Sequence, residues 1–258
     1  MNRTTSSRML EQRCDLLRSL HVRGTPLVLP NAWDAASAQA VVAAGFPVVA
    51  TTSGGVAASL GYEDHEDAPA DEMLAAAARI ARSVEVPVTV DAESGYRMSP
   101  KDLVDALAHA GAAGCNLEDT DHTTGRVTDA GRHADRLAEV RAAAVERGYG
   151  LVINARIDVF LVDGGEHPQR ALLDEAVGRG QAYRAAGADC VFPIFLSDAD
   201  VIASFVEAVH APVNVLALPK APSIPQLSEL GVARVSYGSS LHRRVMQDLA
   251  TFLGEVPR

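Results

Sequence analysis

Residues 26–52 read "PLVLPNAWDAASAQAVVAAGFPVVATT", and the alternation inside this stretch decides the fold. An apolar run of strand length, "PLVLPN" (26–31), gives way to a helical pattern, "WDAASAQAVVAAG" (33–45), which stops at a glycine. A second apolar run, "PVVATT" (47–52), follows at once. A strand, a helix and another strand at this spacing make a βα unit.

The same unit recurs in the C-terminal direction. Helix 70–84 precedes strand 86–91. Helix 99–111 follows, with Ser99 as its predicted N-cap and Pro100 in its first turn. Strand 114–119, helix 133–148, strand 151–158, helix 170–187 and strand 189–195 continue the series. Helix 198–209, strand 212–218, helix 223–231, strand 233–238 and helix 239–253 complete it. Eight strands, each followed by a helix, predict a (β/α)8 TIM barrel of the α/β class, with a doubly wound sheet as the weaker arrangement. An extra N-terminal helix is expected around 6–20, within an N-terminal extension of residues 1–22. No linker divides the chain, so residues 1–258 read as one barrel domain. Residues 53–69 are expected to form a long loop, and long loops in compact domains usually carry function.

Composition limits the partners. A formal net charge of -10 argues against nucleic acid and anionic membranes, which select clustered Lys and Arg. Cys14, Cys115 and Cys190 are far apart and show no ligand spacing, so neither a disulfide framework nor a zinc site is expected. Cys115 reads as a core residue. The first residues lack an apolar signal core and no apolar run is long enough to span a bilayer, so a cytoplasmic protein is expected.

In a barrel of this class the catalytic groups project from the C-terminal ends of the strands. Strand three ends in "DAE", which puts Asp91 and Glu93 on one side of the strand, and strand four brings Glu118 alongside. Three carboxylates at one mouth repel each other unless a cation lies between them. All-oxygen ligands favour Mg2+ or Mn2+ over zinc. The competing reading pairs these acids with Arg97, Arg126 or Arg132. Ser53, Gly54 and Gly55 offer backbone N–H groups suited to a carboxylate or phosphate oxygen, or else form a plain turn. Strand five ends in Asn154, Arg156 and Asp158. Arg156 suits bidentate recognition of a substrate carboxylate, or an internal salt bridge with Asp158 or a nearby glutamate.

Four stretches together, "SGGVAASLGYED" (53–64), "DAESGY" (91–96), "NLED" (116–119) and "NARID" (154–158), resemble the phosphoenolpyruvate mutase/isocitrate lyase superfamily along nearly the whole chain. The resemblance implies a Mg2+-dependent enzyme acting on small 2-oxo or 2-hydroxy carboxylic acids through an enolate. By the same resemblance Asp91 anchors the metal, with Glu93 and Glu118 assisting directly or through water. Asp64 orients the metal's waters or the substrate. Ser53, Gly54 and Gly55 hold the substrate carboxylate, and Arg156 holds its other anionic end, with Asn154 beside it.

The departures from that family pattern are specific. Isocitrate and methylisocitrate lyases carry a cysteine-containing loop after strand four, whereas this chain has "TDHTTGRVTDAGRHADR" (120–136). The phosphonate-forming mutase has a lysine directly after Glu-Asp, where this chain has Thr120. Glu93 replaces the usual second aspartate, and Arg97 stands where a glycine often follows the tyrosine. Tyr96 and His122 are the remaining candidates for moving protons, and Lys220 is a candidate for a distal carboxylate.

The expected activity is therefore a carbon–carbon lyase for a small di- or tricarboxylate. The alternatives are oxaloacetate decarboxylation or hydrolysis, phosphorus–carbon chemistry on phosphonopyruvate or carboxyphosphonoenolpyruvate, and a non-catalytic carboxylate-binding barrel. The loops after strands four and seven are expected to set the substrate's side chain. A homo-oligomer, dimer or tetramer, is implied by the resemblance; exchange of the eighth helix between subunits stays open because the chain stops soon after it.

Overall fold

The computed structural model describes residues 3–257, so positions 1, 2 and 258 of the predicted domain lie outside the described residues. In chain order the helices are α1 (Arg3–Ser19), α2 (Ala35–Ala43), α3 (Ser53–Leu60), α4 (Ala70–Arg82), α5 (Pro100–Ala110), α6 (Ala130–Glu146), α7 (Val159–Val162), α8 (Leu173–Ala185), α9 (Ala199–Val209), α10 (Ile224–Glu229) and α11 (Ser240–Glu255). The strands are β1 (Leu27–Leu29), β2 (Asn31–Ala32), β3 (Val49–Thr51), β4 (Val88–Asp91), β5 (Gly114–Glu118), β6 (Thr120–Asp121), β7 (Arg126–Val127), β8 (Val152–Ile157), β9 (Cys190–Pro193), β10 (Asn214–Leu216) and β11 (Arg234–Ser236).

These strands close the predicted barrel. Parallel pairing runs β2-β3-β4-β5-β8-β9 and β1-β11-β10, and a parallel bridge between Val191 and Val213 joins the two series. β1 and β2 form one stave interrupted at Pro30. A proline has no N–H to give to a ladder, and there the stave changes partner from β11 to β3. The register places Asp91 beside Asn116, Asn116 beside Asn154, and Glu118 beside Arg156. Polar residues of three neighbouring staves thus fall into layers inside the barrel.

Local chemistry explains where the helices begin. Asp34 caps α2 through a capping box with Ser37, Ser99 caps α5 by accepting from the Asp102 N–H, and Asp198 caps α9. Such caps satisfy N–H groups that have no partner within the helix. At the opposite end of the barrel α1 lies across the strand starts, with Cys14 and Leu17 fully buried. Arg18 fixes it there by donating to Gly150 O and to Asp189 Oδ1. Gly114 permits this close approach, since a Cβ there would lie 2.7 Å from Val152 O and 2.8 Å from Leu17 Cδ2.

Three local features differ from expectation. The predicted loop 53–69 opens with α3, because Val56 and Ala57 pack into the core and Gly61 closes the helix at φ 92°. The polar loop after β5 contains an antiparallel hairpin, β6 with β7. The short α7 follows β8 directly. Along α11 no residue is buried, and Val245, Met246, Leu249, Phe252 and Leu253 are exposed. Among the described residues no helix is long and apolar enough to cross a membrane.

Candidate active site

A cavity of about 390 Å³ opens at the C-terminal ends of the barrel strands. Thr52, Ser53, Asp64, His65, Asp91 and Arg156 line one side of it. β4 ends at Asp91, whose backbone N–H donates to Thr51 Oγ1 on the neighbouring stave (2.8 Å). The carboxylate points into the mouth, where Oδ2 accepts from the Ser53 N–H at 3.3 Å. Its other oxygen, Oδ1, is buried without a hydrogen-bond partner. Burial pushes the Asp91 carboxyl above its usual range, Arg156 counteracts this, and Asp64 adds to the rise. A buried carboxylate oxygen with no donor is costly unless a cation or donor reaches it.

The predicted glycine nest is the first turn of α3. The Ser53 N–H is given to Asp91, and a Cβ on Gly54 would stand 2.7 Å from Asp64 Oδ2 and 2.9 Å from Ser239 Oγ. Gly54 therefore lets Asp64 close over the helix start. Gly55 is buried against Thr52 and Trp33. Thr52 is tied to Ser239 by a 2.7 Å hydroxyl contact, and Asn31 joins three staves by donating to Thr51 O and accepting from the Tyr237 and Gly238 N–H groups.

Glu93 is 2% exposed, and its Oε2 accepts from the Glu66 N–H at 2.6 Å. Glu66 returns the contact, its Oε1 accepting from Ser94 Oγ and the Tyr96 N–H. His65, Glu66, Glu93, Tyr96 and Arg97 all adopt positive φ. Five non-glycine residues in the left-handed region on two stitched loops mark backbone strain held at a functional position. Burial, followed by the Asp91 charge, pushes Glu93 up to about 8.

That shift has a testable sign. The folded value lies above the ordinary 4.5, so the folded protein holds its proton more tightly, and metal-free stability is lost as pH rises through about 8. Glu93→Gln is expected to unfold at a higher denaturant concentration than the parent above that pH. The gap should shrink toward zero near 4.5. Urea titrations of the metal-free proteins across this range check it.

Glu118 is engaged by two other partners. Its Oε2 lies 2.5 Å from Arg156 Nη1, and its Oε1 lies 2.6 Å from His122 Nε2. Burial raises Glu118 to about 7 against the pull of Arg156. For His122 burial disfavours the charge, but Glu118 overrides it and holds the imidazole above its usual value. The guanidinium of Arg156 also grips Asp158, Nε to Oδ1 at 2.7 Å and Nη2 to Oδ2 at 2.8 Å. The internal salt bridge weighed for Arg156 is thus the one formed, with both Asp158 and Glu118. Behind it Asp158 accepts from Thr120 Oγ1, and its N–H donates to Asp119. Asp119 in turn accepts from Tyr183 and pairs with Arg179.

The structure thus gathers Ser53, Asp64, Asp91 and Arg156 on one cavity and leaves other candidates outside its lining. Asn154 is fully buried below the mouth, donating to Asn116 Oδ1. The Tyr96 hydroxyl reaches only the Asp91 carbonyl oxygen at 3.4 Å. Lys220 lines a separate cavity with Asp198 and Glu229. Arg97, Arg126 and Arg132 share a more open cavity bordered by Glu118. Residues that the sequence reading missed are His65, Asn116 and Ser239, which line the mouth. His65 was visible as the histidine within "YEDHED" (62–67); Asn116 and Ser239 carried no signal beyond their position at or after a strand end. Among the described residues no three His, Cys, Asp or Glu side chains converge as a complete ligand set.

Comparison with known proteins identifies the family and the fold. A crystal structure of a candidate phosphonomutase from Burkholderia cenocepacia J2315 superposes with a TM-score of 0.89 at 41% identity, covering 95% of this chain and 100% of that one. An uncharacterized Mycobacterium tuberculosis protein is 37% identical over 220 residues, covering 85% of this chain and 80% of its own length. The 2-methylisocitrate lyase of Escherichia coli is 30% identical over 207 residues, 76% of this chain and 67% of that enzyme. The family model described as phosphoenolpyruvate phosphomutase matches residues 17–256, and the chain belongs to that family of (β/α)8-barrel lyases and mutases.

Proposed function

We propose that the protein is a divalent-metal-dependent lyase that cleaves a carbon–carbon bond in a small 2-hydroxy or 2-oxo carboxylic acid. The observation that carries this reading is Asp91, a half-buried carboxylate whose buried Oδ1 has no partner and which faces the same cavity as Asp64 and Ser53. The residues present fit a hard cation. Asp91 would hold it, Asp64 would add negative charge beside it, and Glu93, once the ion displaced its proton, and Glu118 would act from behind through water. With no complete protein ligand set, the remaining positions fall to water and substrate oxygens, as Mg2+ or Mn2+ prefers. Such an ion would stabilise negative charge developing on the substrate oxygen as the bond breaks.

The chain's own groups do the rest. The α3 N-terminus, positive through its aligned peptide dipoles, faces the anionic head of the substrate. Arg156, kept charged by Glu118 and Asp158 against the effect of burial, fixes the floor of the site and keeps Glu118 in place. His65, on the cavity wall, is the group best placed to pass a proton to or from bound substrate. Burial holds the Tyr96 phenol protonated, as a donor to the Asp91 carbonyl oxygen.

The test is a panel of 2-hydroxy and 2-oxo di- and tricarboxylates assayed for release of pyruvate, glyoxylate or CO2, with and without EDTA. The expected result is EDTA-sensitive turnover of at least one acid. Binding of oxalate with Mg2+ but no turnover of any acid would favour the carboxylate-binding barrel instead. The likeness to a candidate phosphonomutase supports phosphorus–carbon chemistry on the same head group as a second reading, which phosphorus NMR of a phosphonopyruvate incubation tests. The exposed apolar flank of α11 supports self-association.

A further inference from the structure

The wall of the cavity opposite Asp91 is apolar. Phe192 on β9 and Ile194 just beyond it pack with Leu216 on β10 into a small cluster of their own, with Leu161 and Leu218 against it, separate from the main core. All five line the mouth cavity, together with Phe195. Phe192, Ile194 and Leu216 are buried, Leu161 and Leu218 are half-buried and Phe195 is exposed, so the wall that these side chains turn to the cavity is apolar from floor to rim.

Phe195 makes this wall a built feature. The residue is 39% exposed, and its backbone is held at φ 65°, an unfavourable conformation for a bulky residue. Gln169 holds it there. Its side-chain N–H donates to Phe195 O at 2.8 Å, and its carbonyl oxygen accepts from the Ser197 and Asp198 N–H groups at 2.9 Å each. An exposed phenylalanine on a strained and clamped backbone is what a hydrocarbon subsite requires.

Cations are sparse around this sector and none lies within the apolar wall itself. Lys220, at the end of the same loop, faces another cavity. The fork of Arg156 is engaged by Asp158 and Glu118. Arg243, exposed at the rim on α11, is the other cation in the lining.

We propose that the substrate carries an alkyl substituent at the end remote from its carboxylate head, and that Leu161, Phe192, Ile194, Phe195, Leu216 and Leu218 form the subsite for it. This rests on the reading that the head group lies on the Asp91 side. It narrows the substrate class from di- and tricarboxylates in general to acids bearing a hydrocarbon arm.

The test is a titration of the full chain, with Mg2+, by pyruvate, 2-oxobutyrate, 2-oxopentanoate and 2-oxohexanoate, with 2-oxoglutarate as the polar counterpart, in a calorimeter. Each added methylene is expected to tighten binding about fourfold, and 2-oxoglutarate to bind about tenfold or more weaker than 2-oxohexanoate. Phe195→Ala and Leu218→Ala, both at exposed or half-buried positions, should each flatten the chain-length series while leaving pyruvate affinity within about twofold. Pyruvate binding with a flat series overturns the subsite alone. Tighter binding of 2-oxoglutarate overturns it too, and its loss in Arg243→Ala would assign that arm to Arg243. If no 2-oxo acid binds, pyruvate included, the head-group reading falls and the subsite with it.

Discussion

Asp91→Asn is expected to remove the response of the protein to divalent cations while leaving the metal-free fold as stable as the parent, or slightly more so. The two halves of this result have one cause. In the metal-free protein Asp91 is half-buried, its buried Oδ1 is unpartnered and its charge is disfavoured, so a neutral amide of the same shape relieves a penalty. Asn can still accept the Ser53 N–H that now goes to Asp91 Oδ2. With Mg2+ present the comparison reverses. A ligand that binds only the folded state raises its stability by mass action, and the variant has lost the charged oxygen that would bind it. The parent should show a melting temperature that climbs with Mg2+ concentration, and the variant a flat one. Turnover of any acid identified as a substrate should fall by about 10²-fold or more, the scale seen when one preorganised charge-stabilising group is removed. Thermal scans with and without Mg2+ check the first half without knowledge of the substrate. A variant that kept the full Mg2+ shift would place the ion elsewhere.

Much of the fold was legible because the signals for it are local. Apolar runs, caps such as Ser99 and glycine stops such as Gly111 act within a few residues, and the barrel follows from their count. The candidate site was legible only where a residue's role follows from its place on a strand. Asp91 and Arg156 could be put at the mouth because strand alternation and the C-terminal end locate them. What each meets there depends on pairing across staves. Glu118 has the same sequence credentials as Asp91, yet the register sets it beside Arg156, and the two form an ion pair. Ser53-Gly54-Gly55 reads as a turn because two glycines weaken a helix. Burial of Val56 and Ala57 outweighs that propensity, a contribution that no local pattern reveals. The apolar wall was hidden for a related reason, since Phe192 and Leu216 read as ordinary strand residues until the barrel closes and turns them inward.

Arg156 carries the largest expected effect on stability. Arg156→Met should cost about 3–5 kcal/mol of unfolding free energy, the range for removing one partner of a buried ion pair. Arg156 is 7% exposed, and its guanidinium engages both Asp158, which is fully buried, and Glu118, which is 2% exposed. Methionine fills a similar space, so the loss comes from two carboxylates left without a countercharge rather than from a void. Asp158 would keep only the Thr120 hydroxyl as a side-chain donor, and Glu118 only His122. In a chain of this size each kcal/mol lowers the melting temperature by about 2–4 °C, so a fall of roughly 10 °C is expected. Arg156→Met/Asp158→Asn should be less destabilised than the sum of the single changes, because the second substitution removes a charge that the first left unpaired. Urea unfolding of the three variants measures both quantities. A loss under about 1 kcal/mol for Arg156→Met would mean that water reaches the two carboxylates and screens them as it does at a surface, and the floor of the site would then be wetter and looser than the ion pairs imply.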